Sequence, residues 1–233
     1  MTHSCVPNCT WAITYSPEFV IKVRPTVPIE KGQVLTVAYN YDYTKYGCRY
    51  RQKRILQNAE FNCRCRRCVD VTDLGTFAGG IMCFKCKTGV CLPEEMTVLD
   101  SDWKCDKCGY AMCASFAASY AEGLFEQLEM TKELSESDSD EELSEAERLE
   151  EFISDNSNIK LHPNHWVLME AAQRLVNIQS TKLEELTLDQ LEGFIFYCEY
   201  LLQIRSVISP GASTPRGMYC NFKLRSSTIL AVY

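Results

Sequence analysis

The hexapeptide CRCRRC at residues 63–68, with the motifs CFKC at residues 83–86 and CDKC at residues 105–108, organises the whole chain. Each C-x-x-C motif places two thiolates on one face of a tight turn, and two such turns complete a tetrahedron around one zinc ion. The 18 residues between Cys86 and Cys105 fit this arrangement. The hexapeptide offers three ligands, so a closed structural site there requires a fourth cysteine from elsewhere in the chain.

The cysteine content raises the alternative of a secreted disulfide scaffold, since there are 14 cysteines among 233 residues. We disfavour it because the cysteines stand in metal-type pairs and because 46% of the residues are hydrophobic, enough for a core without covalent links. We expect no signal peptide and no membrane, because the chain shows neither a leader pattern nor a run of 18 apolar residues. A reducing cytoplasmic or nuclear location is therefore predicted.

Charge is distributed unevenly. The net charge is −7, and residues 133–151 contain ten acidic side chains and one arginine, which predicts an acidic linker or the acidic start of a helix. The opposite charge gathers near the first cysteine cluster, in a basic group made of Arg49, Arg51, Lys53, Arg54, Arg64, Arg66 and Arg67. This basic group is the sole support for a nucleic-acid-binding zinc protein. Two Cys₄ zinc sites, each of charge −2, would offset its positive charge.

The first half of the chain predicts strands. Residues 10–15 and 19–23 are rich in β-branched and aromatic side chains, and the Ser-Pro-Glu sequence between them is typical of a turn. A second turn signal at residues 29–33 precedes a predicted strand over residues 34–39. Residues 50–59 predict a short helix before the cysteine clusters.

From Met112 onward the apolar pattern becomes helical. Apolar side chains recur at i+4 spacing from Phe116 to Leu128, and similar patterns run through residues 162–178 and 188–204. The last of these helices is predicted to begin at a capping box of Thr187 and Gln190. It is predicted to end at Pro210-Gly211, before another helix over residues 217–232. Successive helices with short links predict stacked helix pairs.

Three blocks resemble the SET domain of protein lysine methyltransferases: THSCVPN at residues 2–8, LTVAY at residues 35–39 and FNCRCRRC at residues 61–68. The corresponding family patterns are Asn-His-Ser-Cys-x-Pro-Asn, a strand ending in a tyrosine, and a post-SET cysteine cluster. The sequence LHPNH at residues 161–165, with the later Pro-Gly and Arg-Gly pairs, is similar to the C-terminal region of the SMYD (SET and MYND) family. The second zinc module most resembles the arthropod-type SmydA branch.

The resemblance implies the missing zinc ligand. In SMYD proteins the cysteine of the Asn-His-Ser-Cys motif joins the three post-SET cysteines, and here that cysteine is Cys5. With the second set, predicted from spacing, two zinc ions are expected. The expected ligands are Cys5, Cys63, Cys65 and Cys68 in one site, and Cys83, Cys86, Cys105 and Cys108 in the other.

The resemblance also implies a methyl-transfer site. Tyr39 is the expected catalytic tyrosine, whose hydroxyl would orient the methyl group of S-adenosylmethionine and stabilise the transition state. Cofactor contacts are implied for Thr2, His3 and Phe61, and a lysine channel walled by Tyr41 and Tyr43.

The sequence departs from the family pattern in several places. Thr2 stands where the family usually has asparagine, and Ala59 falls where many SET enzymes have a second channel tyrosine. No G-x-G occurs, so the glycine-bearing cofactor strand of the upstream half is not recognised. The MYND zinc finger that normally interrupts SMYD SET domains is not recognised either. We therefore expect an N-terminally truncated SET protein that uses S-adenosylmethionine if the upstream half is present.

The predicted fold class is α+β: the C-terminal half of a β-rich SET domain, two Cys₄ zinc modules, and a helical C-terminal region similar to tetratricopeptide repeats. The expected boundaries are residues 1–47 for the SET part, 48–70 for the post-SET zinc segment, 71–111 for the second zinc module and 112–233 for the helical domain, with the acidic linker at 133–151.

Three functions compete. The first is a SET-type protein-lysine N-methyltransferase, or a C-terminal fragment of one that is inactive alone, with a protein or histone lysine as substrate. The second is a non-catalytic zinc-dependent interaction module that binds partner peptides through its helical region. The third, a nucleic-acid-binding zinc protein, is the least favoured.

Overall fold

The structure is a computed structural model that describes residues 1–15, 17–133 and 143–230. Eight strands occur in these ranges: β1 (Thr2–His3), β2 (Cys9–Thr14), β3 (Val20–Pro25), β4 (Thr36–Val37), β5 (Ile81–Met82), β6 (Val90–Pro93), β7 (Trp103–Cys105) and β8 (Ala111–Met112). A 3-10 helix and six α-helices accompany them: Tyr41–Lys45, then α1 (Cys48–Ala59), α2 (Ala114–Glu133), α3 (Glu145–Asn156), α4 (Trp166–Ser180), α5 (Leu188–Ile208) and α6 (Thr214–Leu230).

The N-terminal region contains two small sheets. Strands β2 and β3 form the antiparallel hairpin that the sequence predicts, with Cys9 opposite Pro25. The predicted strand over residues 34–39 is shorter than expected, because only Thr36–Val37 is extended and it pairs in parallel with β1. The Asn8 side chain fixes this pairing: its Oδ1 accepts from the Thr36 N–H at 2.8 Å and its Nδ2 donates to the Val34 carbonyl at 2.9 Å.

Helix α1 turns one face toward the first cysteine cluster. Its buried residues are spaced three or four apart, so they share one side of the helix: Cys48, Arg51, Gln52 and Ile55. The helix ends at Glu60, whose backbone adopts a left-handed conformation with φ 57° while its N–H bonds to the Leu56 carbonyl. This ending sends the chain directly into the hexapeptide of cysteines.

The second zinc module is a four-stranded antiparallel sheet in the order β5-β6-β7-β8. The turns that follow β5 and β7 hold the two C-x-x-C motifs. The sheet joins the helical region directly, because the Met82 N–H bonds to the Lys160 carbonyl at 3.1 Å and the Trp166 N–H to the Ala78 carbonyl at 2.9 Å.

The helical region confirms the capping box of Thr187 and Gln190 at the start of α5. A second capping box, made by Ser144 and Glu147, begins α3. Helix α3 therefore occupies part of the segment predicted as an acidic linker over residues 133–151, because Ser144 caps the chain into a helix whose Leu149 and Phe152 are buried. Residues 134–142 of that segment lie outside the described residues.

The described residues form two hydrophobic cores. The larger one runs without interruption from the second zinc module into the helices, and includes Ile81, Trp103, Leu124, Leu168 and Phe194. The smaller one surrounds the first cysteine cluster. The fold thus mixes helix and sheet as predicted, and the resemblance of the helices to tetratricopeptide repeats stays a prediction. Among the described residues no helix has both the length and the apolar character needed to cross a membrane.

Candidate functional site: two cysteine clusters and an adjoining cleft

Cluster 1 consists of Cys5, Cys63, Cys65 and Cys68, whose four sulfur atoms lie within 4.8 Å of one another. Cys5 follows β1, and the other three follow α1, so 63 residues of chain separate Cys5 from Cys68 while their sulfurs lie 3.5 Å apart. Four thiols at this separation are the donor set that tetrahedral zinc prefers. The structure therefore brings together the four ligands that the resemblance implied, and they can hold a zinc ion.

Buried arginines compensate the charge of cluster 1. Arg51 donates from both Nε and Nη2 to the Cys68 sulfur at 3.4 Å, and it pairs with Asp73 at 3.0 Å. Arg67 pairs with the same carboxylate at 2.7 Å. The side chains of all three residues are 0% exposed. A zinc ion with four thiolates carries a charge of −2, so a buried guanidinium beside it offsets part of the electrostatic cost.

The pKa of Asp73 reflects this network. Burial alone would raise it, but the guanidinium groups of Arg51 and Arg67 and their hydrogen bonds lower the pKa of Asp73 below its usual range. Asp73 therefore stays ionised and keeps Arg51 in place against Cys68.

Further polar contacts fix cluster 1. Gln52 on α1 makes two hydrogen bonds to the backbone of Cys63. Its Nε2 donates to the Cys63 carbonyl at 2.6 Å, and its Oε1 accepts from the Cys63 N–H at 3.0 Å. A fifth cysteine, Cys48, lies beside the cluster, with its sulfur 3.8 Å from the Cys68 carbonyl oxygen. Hydrogen bonds from Cys48 and Cys5 lower the pKa of the Cys68 thiol, which favours the thiolate form that binds metal.

Cluster 2 consists of Cys83, Cys86, Cys105 and Cys108, again within 4.8 Å of one another. Backbone amides donate to its sulfurs: the Gly89 N–H to Cys86 at 3.3 Å and the Lys107 N–H to Cys105 at 3.4 Å. Hydrogen bonds from the backbone of Thr88 and Gly89 lower the pKa of the Cys86 thiol to about 6. The ligand set predicted from spacing is therefore assembled, and these four thiols also suit a zinc ion.

A cleft of about 680 Å³ adjoins cluster 1. It is lined by Thr2, His3, Tyr39 and Phe61, the residues for which cofactor contact or catalysis was expected, and by Arg64 and Arg66. The rings of His3, Tyr39 and Phe61 pack edge to face, with centroids 5.2 Å apart for His3 and Tyr39 and 5.5 Å apart for His3 and Phe61. The Tyr39 hydroxyl donates to the Met1 carbonyl at 3.3 Å, and the residue is 48% exposed.

Of the two expected channel tyrosines, only the side chain of Tyr43 is described, and it lies away from this cleft. Tyr43 is buried in the smaller core, where Cys48, Ile55 and Met96 also lie, and it is not among the residues that line the cleft. The side chain of Tyr41 lies outside the described part of the structure. Tyr43 was expected at the channel because it lies close to Tyr39 in sequence, but the 3-10 helix turns it inward.

The basic group at residues 49–67 does not form one exposed surface. Arg51 and Arg67 are fully buried against Asp73, and Lys53 pairs with Glu122 at 2.9 Å. A nucleic-acid interface needs exposed cations that can reach phosphates. The basis for the nucleic-acid alternative is correspondingly weaker.

Sequence reasoning missed the side chains that support cluster 1: Arg51, Gln52, Asp73 and Arg67. One signal was present, since Arg51 and Gln52 lie three and four residues after Cys48 and therefore share its helix face. Nothing in the local pattern marks Asp73 as their partner.

No model of a known protein family matches the chain. Over 112 residues, or 46% of this chain, the sequence is 30% identical to the SET domain-containing protein SmydA-8, isoform A, of Drosophila melanogaster. It is 26% identical to isoform B of the same protein over 110 residues. These similarities agree with the resemblance of the sequence motifs to SET-domain proteins. The aligned region covers 23% of the length of each relative, so the chain matches less than a quarter of either.

Proposed function

We propose that this chain supplies one wall of an S-adenosylmethionine-dependent protein-lysine methyltransferase site, with Tyr39 as its catalytic residue. The carrying observation is the cleft itself, in which Thr2, His3, Tyr39 and Phe61 meet beside cluster 1 although they are distant in sequence. The similarity to SET-domain proteins supports the same conclusion. We also propose that the chain belongs to the arthropod-type SmydA branch of the SMYD family.

The cleft fits the cofactor in chemical character. Its aromatic rings offer flat apolar surfaces, and Arg64 and Arg66 offer a positive charge for a carboxylate. In this proposal the main chain around His3 would hold the cofactor. When bound, S-adenosylmethionine would supply an electrophilic methyl group on a sulfonium sulfur. Tyr39 would direct its hydroxyl at that region and stabilise the charge distribution during transfer.

Methyl transfer requires a dry site, because water solvates the lysine amine and weakens electrostatic stabilisation. The exposure of Tyr39 in the described structure does not provide one. We therefore propose that the chain alone is inactive and that further protein closes the cleft. The expected role of Tyr41 in the lysine channel stays a prediction.

The proposal is tested first on the chain as it stands. Zinc-loaded protein is titrated with S-adenosylmethionine by calorimetry and assayed on protein substrates with labelled methyl groups. We expect no turnover and no saturable binding at micromolar cofactor, equivalent to roughly −8 kcal/mol. Robust turnover by the chain alone, abolished in Tyr39→Phe, would support the methyltransferase activity. It would contradict the proposal that further protein must close the cleft.

The second test uses a longer protein that contains this chain in its natural reading frame. We expect turnover there, lost in Tyr39→Phe and unchanged in Tyr15→Phe, since Tyr15 lies next to the hairpin, packed against Phe19. A zinc-loaded longer protein that is inert toward all lysine substrates would instead support the non-catalytic interaction module, with partner peptides bound by the helices.

A further inference from the structure

The His3 side chain lies between cluster 1 and Tyr39 and contacts both. Its Nε2 atom is 3.3 Å from the Cys5 sulfur, and its Nδ1 atom is 3.2 Å from the backbone nitrogen of Tyr39. The side chain is buried, and its ring packs against the rings of Tyr39 and Phe61. One imidazole thus spans the distance from a zinc ligand to the proposed catalytic residue.

The hydrogen-bond pattern assigns the tautomer of this imidazole. A backbone N–H can only donate, so the Nδ1 atom that receives the Tyr39 N–H carries no proton. The neutral ring then carries its proton on Nε2, and this N–H donates to the Cys5 sulfur. A thiolate bound to metal is a better acceptor than a thiol, so metal binding strengthens this contact.

We propose that His3 is a positioning residue that couples metal binding in cluster 1 to the backbone and ring of Tyr39. Metal in cluster 1 fixes the Cys5 thiolate, the thiolate orients the imidazole, and the imidazole holds the Tyr39 N–H. The role of Tyr39 in catalysis rests on the proposed function, whereas the coupling itself is a property of these contacts.

The coupling is reciprocal. If metal in cluster 1 favours the ordered position of Tyr39, then ordering of Tyr39 must strengthen metal binding by the same factor, and the imidazole carries this coupling. Loss of a supporting contact to a metal ligand typically costs 10–100-fold in metal affinity, and we expect a loss in this range at cluster 1. Cluster 2 contains no histidine contact to its sulfurs among the described hydrogen bonds, so its affinity should not change.

The first test leaves the sequence unchanged. The chain is labelled with ¹⁵N and loaded with ¹¹³Cd, which gives each cluster its own resonance. We expect the His3 ring to show the Nε2–H tautomer and a through-bond coupling from that proton to the cadmium of cluster 1. A His3 ring protonated on Nδ1 instead, or an Nε2–H with no coupling to cadmium, would overturn the proposal.

The second test separates the two contacts. His3→Asn keeps an acceptor near the Nδ1 position and removes the donor to Cys5, whereas His3→Gln keeps a donor near the Nε2 position and removes the acceptor for Tyr39. We expect His3→Asn to shift the cadmium resonance of cluster 1 and lower its metal affinity 10–100-fold. We expect His3→Gln to accelerate hydrogen exchange of the Tyr39 amide while cluster 1 keeps its metal.

The matched control is His162→Asn, because the Nδ1 atom of His162 also accepts a backbone N–H, from Asn164 at 3.1 Å. It should leave cluster 1 and Tyr39 unchanged, and the resonance of cluster 2 reports that the second zinc module of each variant is folded. Equal metal affinity of cluster 1 in His3→Asn and in the parent chain would overturn the coupling. Methyl transfer is not measured in any of these experiments, so an inert protein would count against the proposed function alone.

Discussion

Each of the two cysteine clusters holds four sulfur ligands, but cluster 1 is the more deeply buried. In cluster 1, Cys5 and Cys68 are fully buried, and the side chains of His3 and Arg51 donate to the sulfurs. In cluster 2, Cys108 is exposed, and the donors are amides of the same tight turns. Cluster 2 is therefore stabilised by contacts within its own turns, whereas cluster 1 depends on tertiary structure.

The difference in burial between the clusters shows which groups compensate the negative charge of each. Backbone amides come with the C-x-x-C turn, so any chain that forms the turn also forms the compensating hydrogen bonds. Water does not reach the buried cluster 1, so the Arg51 guanidinium compensates the charge of its thiolates. Asp73 in turn pairs with the buried Arg51. Four experiments break or sharpen this comparison, from the largest expected effect to the smallest.

The largest effect should come from removing one ligand in each cluster. Cys65→Ser and Cys108→Ser should each reduce the bound zinc from two ions to one, measured by elemental analysis. Cys65→Ser should unfold residues 48–70, because cluster 1 has only a small core around it and structural zinc supplies on the order of 10 kcal/mol.

The exposed cluster should be more forgiving of ligand loss. The sheet of the second module shares the large core with the helices, so Cys108→Ser should leave α2 and α4 protected in hydrogen exchange. Loss of protection in the same segments for both variants would show that the two clusters do not differ in this way.

The next effect concerns charge compensation. Arg51→Met should destabilise zinc-loaded protein by about 3–5 kcal/mol in urea unfolding, because it leaves buried Asp73 and the cluster 1 thiolates without their shared cation. Arg54→Met is the control, since Arg54 lies on the same helix with an exposed hydrogen bond to Tyr50. Equal destabilisation by both variants would contradict a specific role for Arg51.

A smaller effect should appear in the turn of cluster 2. A Cβ atom at Gly89 would overlap the Cys105 sulfur and lie 2.8 Å from the Asp106 Oδ1 atom. Gly89→Ala should therefore weaken metal binding at cluster 2 by about 1–3 kcal/mol, measured by chelator competition. Gly79→Ala provides the comparison, because a Cβ atom at Gly79 would have no neighbouring atom within 4 Å among the described residues. Unaltered affinity in Gly89→Ala would show that the turn relaxes freely.

The smallest effect is a difference between the two clusters in the rate of zinc release. Transfer of zinc to a coloured chelator should occur in two phases, with cluster 2 first, because Cys108 is exposed while Cys5 and Cys68 are not. The Cys108→Ser variant identifies the phase, since it should lack the fast one. Disappearance of the slow phase in that variant would reverse the assignment.

The sequence predicted the parts that depend on short spacings. The four ligands of cluster 2, the hairpin of β2 and β3 and the capping box of α5 all follow from short motifs or from segments close together in the sequence. The fourth ligand of cluster 1 was reached only through resemblance to a family, because Cys5 lies 63 residues from Cys68. No periodicity or turn signal operates over that distance.

The sequence by itself determined which sulfurs form cluster 2, where most helices lie and that the cysteines gather as free thiols suited to metal rather than as disulfides, because these features depend on local geometry and composition. Tertiary structure alone decided that Tyr43 faces the core, that Arg51 and Arg67 share Asp73, and that one imidazole connects Cys5 to Tyr39. Burial removes water from such groups, so each must find its partner in the folded chain, and only the fold determines which distant residue that partner is.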